Sequence, residues 1–324
     1  MGLKFRCTDE QFIEAWNQHG GYYKPIMEKF GFANRGSIQN RRMKVEKKLG
    51  ITLASAAVNS ERNVATRRKN SRRMEVTIDR GTVLVGSDVH IWGMELTTAQ
   101  RAFIALAKKL QPEVIVLNGD VFDGAKISRH PPGIWDQEKR PDVKTEIEGC
   151  QNFCDLIRKA APSACLIWVW GNHDMRYEYI LAAAAPQYEG VKGFHLGDHF
   201  PEWGFCMAVF VNDDVVIKHR FKSGRHAPEN NALWAGRTCI TGHLHSQKVQ
   251  PVTDYNATRY GVDSGTMADP DSKQFDYTEE NPTGWRSGFA VLSFIDGHLL
   301  MPELVKVCDW NPGAVEFRGE LIPV

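Results

Sequence analysis

The sequence predicts an α/β domain preceded by a small all-α module, and three observations lead there. From Glu75 onward, apolar strand-like runs alternate with amphipathic helical stretches, the pattern of a sheet covered by helices. Residues 8–50, by contrast, carry helical periodicity. The charge also divides: residues 1–75 hold 16 Lys and Arg against 7 Asp and Glu, net +9, whereas residues 76–324 hold 24 against 32, net −8. The expected organisation is therefore a helical module over 1–50, a basic linker over 51–74 and an α/β domain over 75–324.

The chain has 324 residues, 42% hydrophobic, 24% charged and 10% aromatic, values that exclude disorder, collagen and coiled coil as global descriptions. No apolar run approaches the ~20 residues that span a bilayer, so no membrane contact is expected. The N-terminal MGLKFRCTDEQF lacks the apolar stretch of a secretory signal. Seven cysteines, an odd number with no CxxC pair, read as free thiols of a reducing cytoplasm.

Within the module, Thr8 or Asp9 can cap a helix whose Phe12, Ile13 and Trp16 share one face, ending near Gly20-Gly21. Ile26, Met27 and Phe30 mark a second helix, closed by Gly31. Ser37 can cap a third, with Ile38, Met43, Val45 and Leu49 inward and Gln39, Asn40, Arg41, Arg42, Lys44, Lys47 and Lys48 left for the outside. The order and loop lengths resemble a helix-turn-helix, whose last helix enters the major groove, so DNA is the expected partner. The linker's Arg67, Arg68, Lys69, Arg72 and Arg73 could track phosphates or simply solvate a tether.

In the second part, strands are expected at 76–78, 82–85, 114–117, 166–170, 207–211, 215–217, 238–241 and 289–294, and helices at about 97–110, 144–160 and 174–184. Five polar clusters follow strands, where α/β folds collect their sites: Asp88-Val89-His90, Gly119-Asp120-Val121-Phe122-Asp123, Gly171-Asn172-His173-Asp174, His219, and Gly242-His243-Leu244-His245. D-x-H is cheap, but from composition GNHD is expected only about 0.003 times in such a chain.

This ordered set resembles the calcineurin-like metallophosphoesterases, over about residues 80–250. The resemblance implies a double-sheet sandwich flanked by helices, with a two-metal site at the strand ends. It implies that Asp88, His90 and His245 hold one divalent ion, that Asn172, His219 and His243 hold the other, and that Asp120 bridges them. Carboxylate and imidazole suit Mn, Fe and Zn, with Mn the first expectation. His173 is the family's non-ligand histidine, stabilising the phosphoryl group or protonating the departing oxygen. Asp123 and Asp174 are implied carboxylates that orient histidines. In the family a glycine commonly follows the histidine at His219; here Arg220 does, which leaves His226 as an alternative.

Other residues are read more plainly. Arg129 and Arg176 are surface charges or phosphate contacts; Trp92 is a core residue or a base-stacking platform. Joining a helix-turn-helix to such a site raises the local concentration of DNA, so a metal-dependent DNA nuclease of phage or prophage type is expected. A nucleotide or phosphoprotein phosphatase with an N-terminal protein-interaction module, and a DNA-binding regulator with a vestigial site, are the alternatives.

Overall fold

The structure, a computed structural model, describes residues 7–19, 21–32, 34–53, 73–129, 140–279 and 281–324. Arg67, Arg68, Lys69 and Arg72 of the expected linker lie outside these residues.

The module consists of α1 (Asp9–Gln18), α2 (Tyr23–Phe30) and α3 (Arg35–Leu49). Thr8 caps α1 through a reciprocal pair with Gln11: the Gln11 N–H donates to Thr8 Oγ1 and the Thr8 N–H to Gln11 Oε1. α2 ends at Gly31 in the left-handed conformation. α3 begins earlier than expected, because Asn34 rather than Ser37 caps it and accepts the Ser37 N–H. Phe12, Trp16, Ile26, Ile38 and Val45 form a core that also takes in Cys7 and Leu53, three residues past the expected boundary.

The faces of α3 differ from the expectation. Met43 and Leu49 are 47% and 45% exposed, while Arg41 is buried. For Arg41 and Arg42 the reason is angular: Ile38 and Val45 stand seven residues apart on the inner face, and at 3.6 residues per turn positions 41 and 42 fall beside them, whereas Leu49 is exposed as the last residue of the helix. Arg41 is tolerated there because Asp9 pairs with it at 2.7 Å.

The larger domain packs two mixed sheets. The first runs in the order β15 (Glu320–Pro323), β14 (Asn311–Phe317), β13 (Glu303–Cys308), β11 (Gly288–Ile295), β2 (Gly81–Gly86), β3 (Val114–Asn118), β4 (Cys165–Val169) and β5 (Gly204–Cys206), with β12 (His298–Leu299) on β11. The second runs β1 (Met74–Val76), β6 (Val209–Val211), β7 (Val215–Ile217), β8 (Thr238–Thr241), β10 (Thr258–Asp263) and β9 (Lys248–Thr253). Strand alternation assigns the cores. Val83, Val85, Val114, Val116, Ile167 and Val169 face Val209, Ile217, Ile240 and Val262 between the sheets. Leu84, Ile115, Leu117 and Leu166 face outward onto Phe103 and Leu106 of α4 (Thr98–Leu110) and Phe153 and Ile157 of α5 (Val143–Ala160). Each such side chain contributes about 1.5–3 kcal/mol by leaving water. Buried on both faces, β2, β3 and β4 read in the sequence as unbroken apolar runs.

Of the run expected at 207–211 only Val209–Val211 is strand, β6, and the unexpected β5 just before it belongs to the other sheet. The expected strand at 76–78 lies at Met74–Val76. Strands β9, β10 and β12 to β15, and helix α7 (Ala227–Ala235), were not anticipated. Among these, β9 and β15 are edge strands whose mixed, largely exposed patterns resemble loops. Among the described residues no helix is long and apolar enough to cross a membrane.

Candidate metal centre

Strands β2, β3 and β4 are mutually parallel, as are β7 and β8, so their carboxyl ends bring five loops together. These loops are tightly bent. Asp88, His90, Asp120, His243 and His245 all have φ between 45° and 71°, a region costly for side-chain-bearing residues and typical of functional sites. The motif glycines follow from crowding. A Cβ on Gly171 would stand 2.1 Å from Asp120 Oδ1, and one on Gly242 would stand 2.3 Å from Asp88 Oδ2.

Three groups of potential ligand atoms result: Asp88, His90 and His245; Asp120, His219 and His243; and His90, Asp123 and His173, in which one Asp123 oxygen already bonds both histidines through Nδ1. In the first, His245 Nε2 and His90 Nε2 approach the same oxygen, Asp88 Oδ1, at 3.1 and 3.8 Å. In the second, His219 Nε2 lies 3.1 Å from Asp120 Oδ2 and 3.3 Å from Asn172 Oδ1. Asp88, His90, Asp120, His219 and His245 are buried, while Asn172, His173 and His243 are half-buried and mark the opening. His226 is exposed and pairs with Glu229, away from this cluster.

The far ring nitrogens are fixed by the protein. His219 Nδ1 bonds the Asn118 carbonyl at 2.8 Å, and His90 Nδ1 bonds Asp123 Oδ1 at 2.8 Å, leaving each Nε2 for the site. His90 Nε2 is buried and has no hydrogen-bond partner among the described residues. An orphaned buried nitrogen is costly unless a further group satisfies it. Electrostatics agree. Burial opposes charge on Asp120 and Asp88, but the surrounding imidazoles outweigh it and hold both carboxyls below their usual range. Burial pushes His90 and His243 down, keeping them neutral. His219 goes the other way: burial opposes its charge, yet Asp120 and Asp88 raise it to about 10. Ionised carboxylates beside imidazoles competing for a cation are the donor set of a divalent metal site.

Asp123 Oδ1 is shared. It meets His90 Nδ1 and also His173 Nδ1, both at 2.8 Å, coupling a ligand histidine to the one at the opening. His173 Nε2 faces Asp120 Oδ2 at 3.9 Å and Arg176 Nη2 at 3.0 Å. Burial works against charge on His173, but Asp120 and Asp123 overcome it and raise its pKa.

Asp174 is a correction: among the described residues its carboxylate orients no histidine. It accepts the backbone N–H groups of Asp120, Val121, Phe122 and Gly171 and the Trp168 indole N–H. The carboxylate thereby holds the loop that carries Asp120. Standing first in α6 (Asp174–Ala184), it also sits where a helix favours negative charge.

The calcineurin-like phosphoesterase family profile matches residues 81–257, more than half of the chain and the whole of this ligand set. The chain belongs to that family. It is thus a member of a family of metal-dependent phosphoesterases that use two divalent ions, and the His and Asp groups above are candidate sites for them. Compared by sequence with curated proteins, the chain matches none. Among solved structures it is similar to Vps29 from Entamoeba histolytica complexed with zinc, at 14% identity over 75% of this chain and 98% of that one, TM-score 0.40. It is also similar to an archaeal phosphodiesterase, at 14% identity over 69% and 99%, TM-score 0.37. A third similarity is to the Escherichia coli phosphoesterase Yfce, at 14% over 68% and 97%, TM-score 0.32.

Around this phosphoesterase centre the structure adds residues that the sequence left unmarked. Phe275 and Trp285 wall the first ligand group, with ring centroids 6.0 and 4.6 Å from His245. Glu146 of α5 is buried and accepts the N–H groups of Gly124 and Ala125, just beyond Asp123. Asp263 binds the Ser246 and Gly265 N–H groups, bracing the turn after His245. None of these belongs to a local motif; only their packing reveals them. Arg176 is brought into the site, whereas Arg129 is exposed.

The residues expected to contact DNA are divided. Gln39 donates to the Asp296 carbonyl, Arg41 pairs with Asp9, Arg42 pairs with Glu46 and Asp79, and Lys48 pairs with Asp9. Asn40, Lys44 and Lys47 are exposed. Spaced at 40, 44 and 47, they share one face of α3.

Proposed function

We propose that this phosphoesterase hydrolyses phosphodiester bonds in DNA, with Mn as its preferred ion. The observation that carries the reading is the gathering of two ligand groups at the strand ends, one around Asp88 and one around Asp120, with a further imidazole, His173, held at their opening by Asp123. When bound, two divalent ions supply charge stabilisation for the phosphoryl group and a nucleophile at neutral pH. Asp123 fixes the His173 ring through Nδ1, so that Nε2 faces the opening. From there a protonated His173 can give its proton to the departing ester oxygen. Arg176, beside His173 Nε2, is placed to meet a phosphoryl oxygen in exchange for that contact. Supporting DNA as substrate are the net +9 of residues 1–75 and the exposed face of Asn40, Lys44 and Lys47.

A second reading, a nucleotide or phosphoprotein phosphatase with an N-terminal protein-interaction module, draws support from the inward use of Gln39, Arg41 and Arg42. One experiment separates the two. Purified protein with Mn²⁺ is assayed on single-stranded, nicked and duplex DNA, and on p-nitrophenyl phosphate and its bis ester. Cleavage of DNA and the bis ester supports the nuclease. Turnover of the monoester alone supports the phosphatase.

A further inference from the structure

The loop that follows His219 carries charge for which the metal centre has no use. Lys218, Arg220, Lys222 and Arg225 fall within eight residues of a domain whose net charge is −8. None of the four makes an ion pair with a carboxylate among the described residues. Lys248 adds a fifth cation, its Nζ 3.2 Å from the Arg225 carbonyl. Like charges so close repel one another, and they also oppose bound divalent ions, unless an anion joins them. Arg220 directly follows His219 in the chain, so the cluster begins at the edge of the centre.

Two exposed aromatic rings interleave with these cations. Phe221 is 39% exposed and Trp234 of α7 70% exposed. The Lys222 ammonium lies 4.0 Å from the Trp234 ring centroid and 5.5 Å from that of Phe221, and Lys218 lies 4.5 Å from Phe221. The loop is held in place from below, since the Lys222 N–H donates to Oδ1 of buried Asn231 at 2.8 Å. Basic groups alternating with aromatic faces are the chemistry that binds an unpaired nucleic-acid strand, phosphates on the cations and bases on the rings.

We infer that residues 218–225, with Trp234, form a contact surface for a single-stranded segment of nucleic acid entering the metal centre from the His219 and His243 side. Arg220, Lys222 and Arg225 meet successive phosphates, and Phe221 and Trp234 stack bases. Duplex DNA fits less well, because its bases are not free to stack. The inference rests on the nuclease reading and says how the strand meets that site.

The test uses the full chain with Mn²⁺ and a fluorescein-labelled phosphorothioate dT12, with binding followed by anisotropy across a salt series. Lys222→Ala/Arg225→Ala should weaken binding about tenfold at low salt and flatten the log–log salt dependence by about 1.4, the value for two lost single-strand phosphate contacts. Phe221→Leu/Trp234→Leu should also weaken binding about tenfold, but with the salt slope kept and the affinity for a 12-base-pair duplex unchanged. Melting temperatures verify that both variants fold. If the wild type binds dT12 and both variants bind it equally well, the surface is wrong and the nuclease reading stands. If the wild type hydrolyses the bis ester yet neither binds dT12 nor cleaves DNA, the nuclease reading fails and this inference fails with it. Equal losses on dT12 and duplex in the aromatic variant would overturn the stacking role.

Discussion

Arg42 of α3 and Asp79 of the β1–β2 turn form an ion pair at 2.6 Å that ties the helical module to the sheet domain. The Tyr23 hydroxyl donates to the other Asp79 oxygen at 2.9 Å, and the Arg42 guanidinium lies 5.1 Å from the Trp16 ring centroid. A residue on the expected DNA-reading face thus acts as a clamp. Asp79→Ala should cost about 3 kcal/mol, because it leaves Arg42 and Tyr23 largely buried without their shared acceptor. Thermal unfolding and limited proteolysis measure this. A melting curve identical to wild type, with the N-terminal helices equally protected, would remove the clamp from the account.

Asp120 is the one carboxylate of its ligand group. It belongs to the group with His219 and His243, and its Oδ2 also lies 3.9 Å from His173 Nε2. Asp120→Asn should lower metal content from about two Mn per chain to less than one, and should abolish hydrolysis, because a shared carboxylate serves both ions. Metal analysis after gel filtration checks it; full retention of both ions would show that Asp120 bridges nothing.

His173 and Asp123 separate positioning from ligation. His173→Ala should keep both ions while losing roughly 10² or more in turnover, the scale of a general acid. Asp123→Asn perturbs His90 as well, so it should weaken metal affinity by about 10–100-fold in addition to slowing turnover. The discriminating measurement is metal affinity alongside kcat for both variants. Metal loss in His173→Ala would make that residue a ligand.

Glu146 offers a pH test away from the ligands. Burial and then the Asp123 charge push its carboxyl up to about 8, despite two accepted N–H bonds. Because the folded value lies above the unfolded 4.5 or so, its proton stabilises the fold. That stability is fully present below about pH 4.5 and is lost as pH rises towards 8. Glu146→Gln cannot titrate and cannot accept both N–H groups, so it should melt lower than wild type, with the gap narrowing from pH 5 to pH 8.5. A gap that widens with pH would reverse the sign assigned to Glu146.

The metal centre was legible because its parts are local. Asp88 and His90, or His243 and His245, sit two residues apart on a bend after an apolar strand. Gly171 and Gly242 are required where a Cβ would strike a ligand carboxylate. Such constraints leave short patterns in the chain. Asp174 was legible as a member of the motif but not in its role, since its partners are backbone N–H groups that any sequence supplies. Phe275, Trp285 and Glu146 left no trace, because nothing in their own neighbourhoods points at the site.

From residue order alone came the α/β class, the three N-terminal helices, most strands of the two cores and the residues that the fold gathers into the candidate metal centre; these follow from hydrophobic period and from motifs a few residues long. Tertiary structure decided which way the basic residues of α3 face. Arg41 and Arg42 are buried or paired because Asp9 and Asp79, 32 and 37 residues away along the chain, meet them in space. It also decided that one carboxylate, Asp123, serves two histidines, and that the cations after His219 surround exposed rings beside the centre. Pairing across distance depends on where the packed strands and helices place their ends, and no local pattern of residues carries that information.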